Sequence, residues 1–250
     1  MILSVQDLCV GYNQCLVLKD LNFSVAPGEM LTILGPNGVG KTTLLKCINR
    51  ILHPRSGAVL VEDADVFRMN SQEIATRLGY VAQKSEAGRM TAFDAVLLGR
   101  KPYLRWSVSE KDLKIVDAAI QRMGLSHLAL RHIDQISGGE LQKVCIARAL
   151  VQEPTVILLD EPTSSLDLKN QLDIMNTIRK IVKEHGIAAV MTMHDLNMAF
   201  RFTDKFLFLK KGRLYCHGAG SDLSPDMVRE VYGVEVDILS HNGQTLVVPR

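Results

Sequence analysis

Eight consecutive residues, Gly35-Pro36-Asn37-Gly38-Val39-Gly40-Lys41-Thr42, constrain what this chain can fold into more than any other feature. They fit G-x-x-x-x-G-K-[ST], follow an apolar run from Met30 to Leu34 that reads as a buried strand, and open a helix predicted from Lys41 to Leu52 and stopped by Pro54. Glycines in that pattern let successive backbone N–H groups turn inward on an anion, and the helix N-terminus adds partial positive charge. Lys41 then reaches the β- and γ-phosphates of a nucleotide, and Thr42 offers its hydroxyl to Mg²⁺. A strand entering a helix through such a turn belongs to an α/β fold that binds its ligand at the carboxyl edge of a parallel sheet.

The remaining pattern agrees with that architecture. Leu78 to Gln83, Thr155 to Asp160 and Ile187 to His194 read as further buried strands, each ending on a polar residue, and helical patterns separate them. The first 25 or so residues alternate in shorter runs, Leu3, Val5 and Leu8, then Leu16, Leu18, Leu21 and Phe23, which predicts antiparallel strands attached to the main sheet. Strand signals vanish between residues 86 and 150. There Thr91-x-x-Asp94 and Ser109-x-x-Asp112 each open an apolar-periodic run as helix N-caps do, which predicts an inserted helical subdomain. Val234 to Leu239 and Gln244 to Val248 flank Ser-His-Asn-Gly, the signal of a terminal hairpin.

Composition narrows the class of partner. With 47% hydrophobic and 22% charged residues, the chain is neither disordered nor collagen-like, and 250 residues suffice to bury a full core without disulfide or metal staples. Lys+Arg 29 against Asp+Glu 27 gives a net charge of +2, too small for a nucleic-acid-binding stripe. Cys9, Cys15, Cys47, Cys145 and Cys216 contain no C-x-x-C pair and are odd in number, which predicts free thiols in a reducing, cytoplasmic setting. Met1 to Val10 has no secretory pattern, and no run of about 18 apolar residues occurs, so work at a membrane would require another chain to span it.

Two further segments carry chemistry. Val156-Ile157-Leu158-Leu159 is apolar and ends in Asp160-Glu161, so two carboxylates emerge at the ligand edge. Alone they read as a solvated strand end. Beside a phosphate loop, Asp160 is expected to hold Mg²⁺ and Glu161 to take a proton from an attacking water. Ser137-Gly138-Gly139-Glu140 precedes a buried helix, Leu141 to Val151; S-x-x-E is a capping box, and the two glycines leave a second helix N-terminus open to an anion.

The phosphate loop, the Ser-Gly-Gly-Glu helix start and Leu158-Leu159-Asp160-Glu161-Pro162 stand in an order that resembles the ATP-binding subunit of ABC transporters, over essentially the whole chain. The resemblance implies a P-loop NTPase (RecA-like) parallel sheet with an N-terminal antiparallel β-subdomain and an inserted helical subdomain. As one domain, residues 1–85 and 151–250 would form the nucleotide-binding core and 86–150 the helical part. It implies ATP and Mg²⁺ as ligands. It also implies a homodimer in which the Ser137-Gly138-Gly139 segment of each copy closes over the γ-phosphate held by the other. Nucleotide contacts are carried over to Tyr12, Gly35, Pro36, Asn37, Gly38, Val39, Gly40, Lys41, Thr42, Thr43, Ser137, Gly138, Gly139, Glu140 and Asp167. Tyr12 would stack on adenine, although alone it reads as a half-buried strand tyrosine. Gln83 would sense Mg²⁺, completing a metal set with Thr42 and Asp160. Ser165-Leu166-Asp167 would cross the dimer interface, although Ser or Asp before a helix is also an ordinary N-cap. His194 would contact the γ-phosphate as a catalytic residue with Glu161 and Gln83, although a lone strand-end histidine is otherwise structural.

The chain departs from the family's Leu-Ser-Gly-Gly-Gln at Ile136 and Glu140, and a carboxylate there is expected to turn back into the capping box, away from ATP. Thr91 to Arg100, Pro102-Tyr103-Leu104, Val231-Tyr232-Gly233-Val234 and Val247-Val248-Pro249 are similar to the subfamily serving importers of iron chelates, haem and cobalamin, with molybdate importers related to it. That implies a polytopic permease dimer, an indirect link to a substrate-binding protein, and residence at the cytoplasmic face of a membrane. Permease contact is expected along Lys84 to Trp106, with Arg89, Met90, Arg100, Tyr103 and Trp106 at the rim. Trp106 with Arg105 and Lys101 also reads as a loop anchor. Cys216-His217 reads as a strand end, because two neighbours cannot fill a tetrahedral metal shell. A DNA-repair ABC ATPase would need long coiled-coil insertions, and the 96 residues from Lys41 to Ser137 hold no sustained heptads. A small-molecule kinase would have no use for Ser137-Gly138-Gly139 or His194.

Overall fold

The computed structural model describes residues 1–13, 15–83, 88–104, 106–164 and 166–250. In chain order the elements are β1 (Leu3–Tyr12), β2 (Cys15–Val25), β3 (Met30–Leu34), α1 (Lys41–Ile48), β4 (Ser56–Val61), β5 (Ala64–Asp65), α2 (Ser71–Arg77), β6 (Leu78–Val81), α3 (Ala92–Leu97), α4 (Glu110–Arg122) and α5 (Gly138–Leu150). There follow β7 (Val156–Asp160), α6 (Leu168–His185), β8 (Ala188–Thr192), α7 (Leu196–Phe202), β9 (Lys205–Lys210), β10 (Arg213–Ala219), α8 (Pro225–Tyr232), β11 (Val236–His241) and β12 (Gln244–Pro249).

The main sheet has the order β10-β9-β3-β8-β7-β6, parallel throughout except for β10. Residues of β3, β7 and β8 are buried at every position, as strands covered on both faces must be. Successive side chains alternate between two cores. Met30, Leu34, Ile157, Leu159, Met191 and Phe208 join one with α5, α6 and α8, whereas Leu31, Ile33, Leu158, Val190 and Leu209 join the other with α1 and the N-terminal strands.

Those N-terminal strands are antiparallel and joined to the main sheet, as the sequence suggests, but they do not enter its strand order. They form a separate antiparallel sheet, β2-β1-β4-β5, laid over α1. The sheets meet through a hydrogen bond from Lys19 N–H to the Gly212 carbonyl, 2.8 Å, and an ion pair of Arg213 with Asp20, also 2.8 Å. Gly212, at φ 74°, permits this approach, because a Cβ there would lie 2.1 Å from the Val17 carbonyl oxygen. The registry of β1 against β2 shifts near Asp7 and Asp20, both in the left-handed region, so the hairpin curls away from a flat extension of the main sheet.

Helix α1 also ends four residues earlier than Leu52. Arg50 takes φ 55°, its N–H bonds the Cys47 carbonyl, and Ile51 N–H bonds the Lys46 carbonyl, a Schellman closure that Pro54 does not cause. Likewise β6 ends at Val81 and β8 at Thr192, so Gln83 and His194 each stand two residues past a strand. Among the described residues between β6 and β7 the regular elements are helices, as the pattern predicts: Thr91 caps α3, Ser109 and Asp112 form a capping box on α4, and Ser137 and Glu140 form one on α5. The β11–β12 hairpin turns at Asn242 and Gly243, both with positive φ, and clips to α7 through Asn197, whose amide pairs with both backbone groups of Val247.

Arg100 is a correction. Expected at an exposed rim, it is 3% exposed and bonds Asp112 at 2.9 Å, Glu153 at 2.7 Å and the Val151 carbonyl at 2.6 Å. Ser109 and Arg100 hold the Asp112 carboxyl below the usual range. Removing one partner of such a buried network leaves the others unpaired, so Arg100→Ala should lower the melting temperature by roughly 5–10 °C. Calorimetry checks this; an unchanged melting temperature would show that the network contributes little. Cys216 and His217 lie within β10, and among the described residues no group of three or more His, Cys, Asp and Glu is placed to hold a metal.

Candidate functional site

The sheet order places β8 between β3 and β7, so three carboxyl ends converge beside the phosphate loop. There a cleft of about 320 Å³ is lined by Asn37, Gly38, Gly40, Lys41, Thr42, Thr43, Gln83, Glu161 and His194. Gly35, Gly38 and Gly40 have φ of 144°, 77° and 114°; a Cβ on Gly35 would lie 2.6 Å from the Leu209 carbonyl oxygen, so the loop's path depends on glycine. Lys41 lies buried under the loop with its ammonium on the Gly35 and Pro36 carbonyls, at 2.7 and 3.2 Å. Burial lowers its pKa, and Glu161 and Asp160 push it back up.

Asp160, 2% exposed, accepts hydrogen bonds at one oxygen from Thr42 Oγ1 at 3.1 Å and Thr192 Oγ1 at 2.7 Å. Glu161 has φ 51°, a costly conformation for a side-chain-bearing residue, and its peptide is fixed from both sides. Its N–H donates to Thr192 Oγ1 at 2.9 Å, and its carbonyl accepts from Ser164 N–H and Oγ at 3.1 and 3.0 Å. Its carboxylate is held by Gln83 Nε2 at 2.5 Å on one oxygen and by His194 Nε2 on the other. Gln83, Glu161 and His194 therefore meet, although they lie far apart in sequence.

Thr192 was missed by sequence reasoning. It is a hydroxyl in an otherwise apolar strand, Ala188-Ala189-Val190-Met191-Thr192, and that single polar interruption was the available signal. Tyr12 is 46% exposed with its hydroxyl 3.4 Å from Thr43 Oγ1, at the loop but outside the cleft lining. Asp167 caps α6, accepting from Asn170 N–H at 2.8 Å.

Ser137, Gly138, Gly139, Glu140 and Asp167 are absent from the cleft's lining among the described residues. Ser137 and Gly138 are exposed, and a Cβ on Gly138 would meet nothing within 4 Å. Glu140 turns back as expected: one carboxylate oxygen accepts from Ser137 N–H and Oγ, both at 2.8 Å, and these bonds hold its pKa below the usual range. Lys84 to Ala87, Arg105 and Ser165 lie outside the described residues.

A parallel sheet with a glycine-built anion loop, a buried lysine and a paired acid-threonine edge defines a phosphate-loop nucleoside triphosphatase. Comparison with known proteins narrows this. The sequence pattern of the ABC transporter family matches residues 18–164. An uncharacterized ABC transporter ATP-binding protein of Methanocaldococcus jannaschii is 48% identical, over 100% of this chain and 98% of its own. The iron(3+)-hydroxamate import ATP-binding protein of Bacillus subtilis is 35% identical, over 95% of this chain and 90% of its own. Among solved structures, an inward-facing transporter described as of the metal-chelate type superposes with TM-score 0.85 at 28% identity, covering 100% of this chain and 96% of that one. A dimeric ATP-binding cassette in a post-hydrolysis state with ADP and Pi gives TM-score 0.78 at 29% identity, covering 87% and 98%. The chain belongs to the ABC transporter family, as an ATP-binding subunit that couples ATP hydrolysis to transport.

Proposed function

We propose that this chain drives uptake of a metal chelate, of the ferric siderophore, haem or cobalamin kind, through a separate permease. The observation that carries this reading is the pairing of whole-chain similarity to an iron-hydroxamate import subunit with whole-chain superposition on a metal-chelate type transporter. In it, the loop's N–H groups from Gly38 to Thr43 cradle the phosphates of ATP, and Lys41 leaves the Gly35 carbonyl for the β- and γ-phosphates. Tyr12, beside Thr43, supports the adenine.

Thr42 Oγ1 and Asp160 Oδ1, 3.1 Å apart, are hard oxygen donors of the kind Mg²⁺ takes, and the Gln83 amide oxygen can join them. When bound, Mg²⁺ neutralises charge on the phosphate oxygens. Glu161 is the general base: one of its carboxylate oxygens takes a proton from the attacking water, while Gln83 and His194 set its orientation. His194 then faces the γ-phosphate.

Two copies complete each site, because Ser137, Gly138 and Gly139 stand outside their own cleft. No described helix is long and apolar enough to cross a membrane, and a peripheral subunit held at the cytoplasmic face by a permease dimer fits that. The permease contact we assign to a groove of about 330 Å³ lined by Ile74, Leu78, Tyr80, Leu98, Arg148 and Gln152 among others. Tyr103 reaches its wall through a 2.7 Å bond to the Gln152 carbonyl; Leu98 is half exposed and Trp106 fully so, whereas the buried Arg100 takes no part. A substrate-binding protein would deliver the chelate, and no nucleic acid is involved.

The test is reconstitution in liposomes with a permease dimer and a substrate-binding protein of the metal-chelate importer class. ATP-dependent uptake of a ferric siderophore, haem or cobalamin, lost in Glu161→Gln, is expected. Uptake confined to molybdate or another oxyanion would overturn the substrate class.

A further inference from the structure

We infer that Tyr232 is a positioning residue of the nucleotide site, through which the C-terminal helix α8 fixes the first peptide of the phosphate loop. Gly35 N–H, one residue past the last β3–β9 pair, Leu34 with Phe208, donates to Tyr232 Oη at 2.8 Å. The carbonyl of the same glycine accepts from Lys41 Nζ at 2.7 Å. Gly35 is thus held at its N–H from outside the loop and at its carbonyl from inside it. When phosphate draws Lys41 away, the tyrosine contact remains.

The hydroxyl is itself rigidly carried. Tyr232 is the last residue of α8, which ends at Gly233 with φ 72° and starts at the Ser224 cap. Its ring meets Phe208 edge to face, with centroids 6.0 Å apart, and Glu230, two residues earlier, pairs with Lys210 at 2.6 Å. Both contacts tie α8 to β9, the strand beside β3. Burial pushes the phenol up to about 12, so it stays neutral across the working range and accepts the Gly35 N–H without charge.

A phosphate loop grips ATP in both the ground and transition states, so slackening it removes uniform binding, which raises KM and leaves kcat alone. A purely structural tyrosine would instead show in the melting temperature. The proposal rests on ATP binding at this loop, so wild type and Lys41→Ala run beside Tyr232→Phe, which deletes one oxygen and keeps the ring. Loss of the hydrogen bond should raise KM for ATP about three- to tenfold, with kcat nearly unchanged and the melting temperature lower by only about 2–4 °C, the cost of one unpaired N–H. An unchanged KM, or a KM increase accompanied by a melting loss well beyond that of one hydrogen bond, would overturn it. Wild type that shows no saturable ATP hydrolysis would instead refute the reading beneath. Should Tyr232→Phe fail to fold, amide hydrogen exchange of nucleotide-free wild type decides: Gly35 N–H should be protected, and free exchange there would overturn the assignment.

Discussion

Glu161→Gln should bind ATP as tightly as wild type and hydrolyse it about 10²–10⁴ times more slowly, the usual cost of losing a general base. The two halves of that result come from different parts of the structure. The phosphates are to be held by the loop from Gly35 to Thr43, which Glu161 touches only electrostatically, by pushing the Lys41 pKa up. Proton transfer needs a carboxylate aimed at water, and Glu161 is built for aim: a strained φ of 51°, an N–H fixed by Thr192, and one side-chain oxygen each for Gln83 and His194. A glutamine retains that shape without the basicity. Single-turnover hydrolysis beside equilibrium nucleotide binding measures both halves, and turnover near wild type would remove Glu161 from the role.

How much of this the sequence showed depended on the range over which each feature is encoded. The phosphate loop, the Asp160-Glu161 strand end and the capping boxes at Ser109 and Ser137 are local patterns, and the structure places them as read. Glu140 could be foreseen turning away from ATP because a capping box involves only four residues. Thr192 could not, since its meaning lies in Asp160 and Glu161, about thirty residues away and joined to it only through sheet order. Arg100 failed for a related reason. An arginine after an apolar helix reads as solvated until Asp112 and Glu153 close around it. That β1 and β2 pair with β4 in a sheet of their own leaves little trace in an alternating pattern. Periodicity reports which face of a strand is buried and is silent about which sheet the strand joins.

The same limit governs the second anion site proposed at Ser137, which calls for another copy of the chain. Ser137 and Gly138 are exposed, open at Gly138, and outside the cleft around Lys41, so a site that uses them must be completed in trans. Lys41→Ala disables the phosphate loop, and Ser137→Arg blocks the exposed helix start; each variant alone forms dimers in which both composite sites carry one lesion. Mixed, they form dimers in which one site collects both lesions and the other collects none. Random pairing makes half the dimers mixed, so ATPase activity should return to about a quarter of wild type if the two sites act independently. Each lesion leaves the other segment's fold untouched, because α5 keeps its Glu140 backbone contact and the loop keeps its glycines. A complemented rate therefore requires shared sites and nothing else. Activity that stays at the sum of the two variants, with crosslinking showing that mixed dimers form, would mean that each chain hydrolyses ATP with its own residues alone.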